Sequence, residues 1–461
     1  MENESQQAEP IGEDRGMPPQ SVGRWAKVLV ILWGVAVFLP ALPLVPGFCC
    51  VLVEALGYDH PETRAFSLGI SALMVVGLAC GGTMLFQGSS ALGGSPSRRL
   101  HLPPLWGVVG GFILALATGL GLWQIEGIAR MAPIRPLLGP WFIVAAAALP
   151  PLAAVVWAMD ERPGWLTWRW ASVAFSAGAT VSTLLAILLE ILVPFTILWL
   201  LLDLGDPVLD ALKGLLDLLA GGEVARALTS PGFLVALFEL AVVAPLVEEF
   251  TKSLVVLPLL KGLESRRDVF LLGAAAGAGF AAIENILYAL FGGRYWSGIL
   301  MLRALGAAVH PLGAGLTALA WHAILRRNRV FQKKPGFWIG GFGLAVAQHA
   351  LWNGGLVLWM ALAGAKFFGP EPWEADVMGV SIAVGMLALI ALEGVALWVG
   401  MRVLSRRFDL DKAASTAAVG EIPAGEELEL STERTIALWA IVCLLVLLPV
   451  GLAALQALGI R

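Results

Sequence analysis

Long apolar runs joined by short polar segments dominate the chain. A run of about twenty residues is the length a helix needs to cross hydrocarbon. By that test eleven spans are expected, near residues 26–56, 66–86, 104–124, 138–158, 171–202, 232–260, 269–291, 297–325, 337–363, 378–402 and 435–458. The pattern predicts an all-α fold, a polytopic transmembrane helical bundle. Pro40, Pro43 and Pro46 fall inside the first run and predict a kinked or partly re-entrant segment there. Residues 207–220 are different in kind. Val208, Leu209, Leu212, Leu215, Leu216 and Leu219 share one helical face, with Asp210, Lys213 and Asp217 opposite. That period predicts an interfacial amphipathic helix. Residues 408–434 are acidic and rich in small residues, which predicts a flexible linker.

These features divide the chain into a disordered tail at 1–24, a five-span N-terminal scaffold at 25–202 and an outer loop with the amphipathic helix at 203–231. A four-span core follows at 232–363, then a tenth span at 378–402, a linker at 403–434 and a last span at 435–461. No internal repeat and no matched pair of broken helices is apparent. The tail is polar and acidic, without a basic start or a cleavage-like end, so the first span is expected to remain as an anchor.

Composition supports the membrane reading. Of 461 residues 58% are hydrophobic and only 14% are charged, where a soluble domain has about 25%. The mean hydropathy is +0.81. The lipid bilayer is therefore the implied environment, and the absence of a basic domain excludes a nucleic-acid partner. Cys49, Cys50, Cys80 and Cys443 all lie in apolar runs with no CxxC spacing, which predicts core thiols rather than disulfides or a thiolate metal site.

Charge also sets orientation. Lys261, Arg266 and Arg267 fall in one loop, Arg326, Arg327, Arg329, Lys333 and Lys334 in another, and Arg402, Arg406, Arg407 and Lys412 after the tenth span. The intervening loops hold Arg294 alone, or Lys366 among Glu371, Glu374 and Asp376. By the positive-inside rule the first group is cytoplasmic, so a cell-membrane protein with its N-terminus inside and its C-terminus outside is expected.

Candidate chemistry centres on Ala244-Pro245-Leu246-Val247-Glu248-Glu249-Phe250-Thr251-Lys252. One charged residue at a helix centre in the bilayer costs about 2.5–3.5 kcal/mol, so two adjacent acids there point to function. Lys252 stands four residues after Glu248 and three after Glu249, within reach of either on a helix. Pro245 predicts a kink or a helix restart, which would put both acids near the unpaired amides of a new first turn. The next span carries Glu284 and Asn285 after a stretch of small residues, Gly273 to Gly279, suited to close helix packing. His310 lies in the span after that. His349 and Asn353 lie in the following one, four residues apart and so on one face. His322, near a span end, reads as a satisfied core histidine, and His60 and His101 carry no signal. Glu190, Glu239, Arg303 and Glu393 read as scattered structural pairs, with Glu239 and Arg303 expected to pair with each other.

Carboxylates and neutral imidazoles can hold a zinc-like ion, and the same groups can instead act without metal, a glutamate serving as base for water. No HExxH is present and no Ser or Cys stands out as a nucleophile. Hydrolysis by activated water is the reaction these residues suit. The competing readings are a proton-coupled transporter, in which Glu and His relay protons along the membrane normal, and a non-catalytic membrane binding protein.

Glu248-Glu249-x-x-Lys252, Phe280-x-x-x-Glu284 within GFAAIEN, His310 and His349-x-x-x-Asn353 together resemble the PrsW family of intramembrane proteases, over roughly residues 232–363. That family is distantly similar to the CAAX-prenyl protease and bacteriocin-immunity superfamily. The resemblance implies hydrolysis of a membrane-anchored protein substrate. It implies a site of Glu248, Glu249, Glu284, His310, His349 and Asn353, supported by Lys252, Phe280 and Asn285. Where a metal is bound, zinc or another divalent ion, Glu284, His310 and His349 are the expected ligands.

Overall fold

The computed structural model describes residues 22–42, 61–98, 100–124, 134–159, 166–192, 237–260, 265–292, 296–326, 336–367 and 377–417, with Val45, Phe233 and Leu263. The expected amphipathic helix at 207–220 and the span at 435–458 lie outside these residues. Among the described residues the ordered elements are helices. Seven are long and apolar enough to cross a membrane, or up to eight when a bent pair is taken as one span.

In chain order the helices are α1 (Arg24–Ala41), α2 (Pro61–Leu92), α3 (Leu105–Gln124) and α4 (Ile134–Met159). Helix α5 (Trp168–Leu192) follows. Then come α6 (Ala244–Leu254), α7 (Leu257–Leu260), α8 (Arg266–Gly292), α9 (Trp296–Leu305), α10 (Val309–Arg326), α11 (Gly336–Phe367) and α12 (Val377–Ala417). The first expected span is helical over Arg24–Ala41, with Pro40 inside the last turn of that helix, and Pro43 and Pro46 lie outside the described residues. Helix α12 runs past residue 402 into the expected linker, and its backbone stays helical to Ala417.

Helix α8 is the axis of the bundle, with 94% of its apolar window buried. Its run of glycine and alanine explains why. A Cβ on Gly273 would meet the Ala314 carbonyl oxygen and one on Gly277 that of His310, so this face lies directly on the α10 backbone. A Cβ on Gly279 would meet the Phe175 oxygen, and one on Gly178 of α5 the Ala276 oxygen, so the opposite face lies directly on α5. Small residues at this spacing let backbones approach where lipid offers no hydrophobic drive for helix association. Helix α5, expected to belong to the scaffold, thus packs on the central helix as closely as α10 does. A π-helical turn at Gly178–Ser182 widens α5 at this crossing, and Thr183 Oγ1 donates to the Gly178 oxygen at 3.1 Å.

The Glu-Glu segment enters through a second π-helical turn, Glu239–Val243, directly ahead of α6. Pro245 has no N–H for the ordinary turn, and the chain widens instead of restarting. Val243 and Ala244 both keep right-handed helical angles. Of the two outcomes expected at Pro245, a kink or a restart, the restart is absent. Glu248 and Glu249 sit inside a continuous helix rather than at its free amides. Helices α9 and α10 form the bent pair, turning by 45° at residues 306–308. A Cβ on Gly306 would strike the Trp352 indole of α11, so the bend is seated against that helix.

Candidate functional site

Four helices bring the sequence-predicted groups together. Helix α6 supplies Glu248, Glu249 and Lys252, α8 supplies Phe280, Glu284 and Asn285, α10 supplies His310, and α11 supplies His349 and Asn353. All nine are buried, and Glu249, Lys252 and His349 are fully enclosed.

Lys252 Nζ donates to Glu248 Oε2 and Glu249 Oε1, each at 2.9 Å. It also lies 2.6 Å from His310 Nδ1. An ammonium can only donate, so His310 Nδ1 accepts and its ring proton sits on Nε2. That N–H donates to Glu284 Oε2, with Nε2 and Oε2 2.7 Å apart. His349 is oriented in the same manner by a different acid. Its Nδ1 lies 3.0 Å from Glu249 Oε1, which accepts the proton, while Asn353 Nδ2 approaches Nε2 at 3.2 Å. Each imidazole thus has one nitrogen fixed by a carboxylate and the other turned inward, an arrangement that sets tautomer and ring orientation in metal sites. The rings meet edge to face at 4.7 Å between centroids.

The inward atoms converge. One ligand atom each from Glu248, His310 and His349 lies within 4.8 Å of the others, a buried group that can hold a metal ion. Glu248 Oε2 is 3.6 Å from His349 Nε2 and 3.8 Å from His310 Nδ1. Tetrahedral zinc bonds of about 2.0–2.1 Å put neighbouring ligands about 3.3–3.4 Å apart. The donors fit such an ion in type and number, and their spacing is slightly open. Glu284, expected among the ligands, stands one step out, against the far nitrogen of His310.

Arg303 is the functional neighbour that sequence reading missed. Its expected partner was Glu239. Instead its NH2 donates to Glu284 Oε2 at 2.7 Å and its Nε to Asn285 Oδ1. Asn285 Nδ2 in turn donates to the Ala147 oxygen of α4 at 2.9 Å, which anchors the pair to the bundle. The bend in α9–α10 brings Arg303 and His310 to the same acid from either side. Their separation by seven residues, two helical turns, was the available signal. Phe280 closes the inner wall, its ring centroid 4.4 Å from Lys252 Nζ and 5.6 Å from the His310 ring. Glu190, read as structural, lies close enough to interact electrostatically with Glu284, Lys252 and Glu239.

Two residues stand apart. His322 is buried and bonds the Leu263 oxygen at 2.9 Å, as expected of a core histidine. Glu393 is buried with neither carboxylate oxygen hydrogen-bonded, so the structural pair expected for it does not form. Its neighbour Gly394 packs on the Leu305 oxygen, next to the α9–α10 bend.

Among known proteins, residues 166–392 match the family described as PrsW family intramembrane metalloprotease. The match opens at the start of α5 and ends in α12, so it takes in the helix that packs on the glycine face of α8. No curated protein and no solved structure matches the chain.

Proposed function

We propose that this chain, whose residues 166–392 match the PrsW family of intramembrane metalloproteases, hydrolyses a peptide bond of a membrane-anchored protein by activated water in the Glu248–His310–His349 pocket. The observation that carries this reading is the convergence of those three donors within 4.8 Å in a buried site. A proton relay would string such groups along the membrane normal, whereas here they face one point.

A divalent ion in this pocket supplies Lewis acidity toward water and the scissile carbonyl. Glu248 Oε2, His310 Nδ1 and His349 Nε2 would hold it. The remaining residues have roles that follow from their contacts. Glu249 and Glu284 fix the two imidazoles in the tautomers that present lone pairs inward. Arg303 neutralises Glu284 and keeps it from turning into the pocket. Asn353, whose amide reaches His349 Nε2, is placed to donate to a developing oxyanion. The formal charge of the cluster is three carboxylates against Lys252 and Arg303, leaving one negative charge that an incoming cation offsets.

One observation favours a second reading, in which Glu248 itself takes the proton from water with no ion. Lys252 already spans Glu248 and His310 with its ammonium. Metal analysis of the purified full chain, with cleavage of single-pass substrates before and after chelation, separates the two. One divalent ion per chain and activity restored by added metal are expected. Full activity in a chain with no detectable metal would leave the glutamate mechanism. The basic loops place the N-terminus in the cytoplasm in this reading, and thiol labelling of single-cysteine variants from either side tests that.

A further inference from the structure

The Lys252 ammonium lies against two of the three inward donors, 2.9 Å from Glu248 Oε2 and 2.6 Å from His310 Nδ1. Those two atoms are 3.8 Å apart, and the ammonium bridges them. An ion cannot use the single lone pair of His310 Nδ1 while the ammonium holds it, and two cations this close to one carboxylate oxygen repel. A second seat is available next to the first. Glu249 Oε1 is 2.9 Å from Nζ, and the Phe280 face lies 4.4 Å away. Beyond them Glu249 Oε2 is buried without a hydrogen-bond partner. Space is kept there by Gly313, on which a Cβ would strike that oxygen. An orphaned carboxylate oxygen in a fully enclosed residue is costly unless some state of the protein satisfies it.

We propose that Lys252 is the resident, exchangeable cation of the metal pocket: it clamps Glu248 to His310 when no ion is present and shifts onto Glu249 when one enters. This deepens the metal-dependent reading above and rests on it. Lys252 acts as a positioning residue that sets how tightly the pocket takes a divalent ion. Its flexible four-carbon stem permits the shift, whereas a guanidinium with its fixed fork of donors would stay on both glutamates.

The test uses the full-length chain in detergent or nanodiscs, with Zn²⁺ alone as the probe. Affinity is read by competition with a chromophoric chelator, and stability by thermal unfolding of the metal-free protein. Lys252→Met is expected to bind one Zn²⁺ at least tenfold tighter than the unaltered chain. Its metal-free form should melt lower than the unaltered metal-free chain and recover when Zn²⁺ is added. Lys252→Arg is expected to bind at least tenfold more weakly. One Zn²⁺ per chain at equal affinity in the unaltered chain and Lys252→Met overturns this inference and leaves the metal reading standing. Absence of divalent-metal binding in both overturns both. A Lys252→Met chain recovered only when Zn²⁺ is present supports the proposal. If that variant folds under neither condition, Lys252→Arg decides, weaker binding supporting the exchange and unchanged binding overturning it.

Discussion

Glu284 receives Arg303 and His310 on a single oxygen, Oε2, each at 2.7 Å. Removing the guanidinium leaves a largely buried acid with only the imidazole to satisfy it, and breaking such a pair costs about 3–5 kcal/mol. Arg303→Met should therefore lower the melting temperature clearly, and Glu284→Gln added to it should return part of the loss. A double variant no more stable than Arg303→Met alone would show that the pair carries no such energy. His322→Ala should leave cleavage nearly unchanged, because its ring bonds a loop carbonyl away from the pocket. At this scale the sequence was legible where chemistry is rare. Paired glutamates, two histidines and an Asn in apolar runs identify themselves by their cost. Partners were not legible. The seven-residue spacing of Arg303 and His310 hints at a shared partner, but which acid Arg303 meets depends on the bend at residues 306–308, which that spacing does not reveal.

Between helices, the site depends on backbone contact. Gly279 abuts the Phe175 carbonyl and Gly277 that of His310, so a side chain at either forces rigid backbones apart. Gly279→Val should cost at least about 1–3 kcal/mol, the usual penalty of overpacking, and should reduce metal binding by shifting Glu284. Gly110→Ala, at a position with open space around it, should be neutral or slightly stabilising. Equal melting temperatures for the two variants would contradict the packing account. The small-residue stretch of α8 announces such packing in the sequence, but not which helix lies on which face. That is why α5 read as scaffold. The π-helical turn before α6 was also hidden. Pro245 signals a disturbance, and either a restart or a widened turn satisfies a missing N–H. Pro245→Ala restores the donor. It should let the widened turn close and rotate Glu248 and Glu249 relative to His310, lowering activity without lowering stability.

Across the whole molecule, hydropathy was enough to give the all-helical membrane bundle, since hydrocarbon thickness fixes helix length. It was less able to set the ends of the functional unit. The motifs bracket 232–363, whereas the family match runs from 166 to 392 and takes in α5 and the first part of α12. Those flanking helices contribute mainly packing surfaces, with Glu190 of α5 as the acid that reaches toward the site, so the motifs alone do not mark them. Helix α1 packs chiefly along α2, through Gly34, Gly81 and Gly88, and stands outside that unit. The buried cluster is the hydrolytic site in the function proposed above. The most direct measurement is single-turnover cleavage of a membrane-anchored reporter in proteoliposomes by the unaltered chain and by Glu248→Gln. That change keeps shape and hydrogen-bonding capacity and removes the carboxylate charge. A rate lower by about 10²–10⁴ in a variant with an unchanged melting profile is the predicted result. Full cleavage by a well-folded Glu248→Gln chain would contradict it.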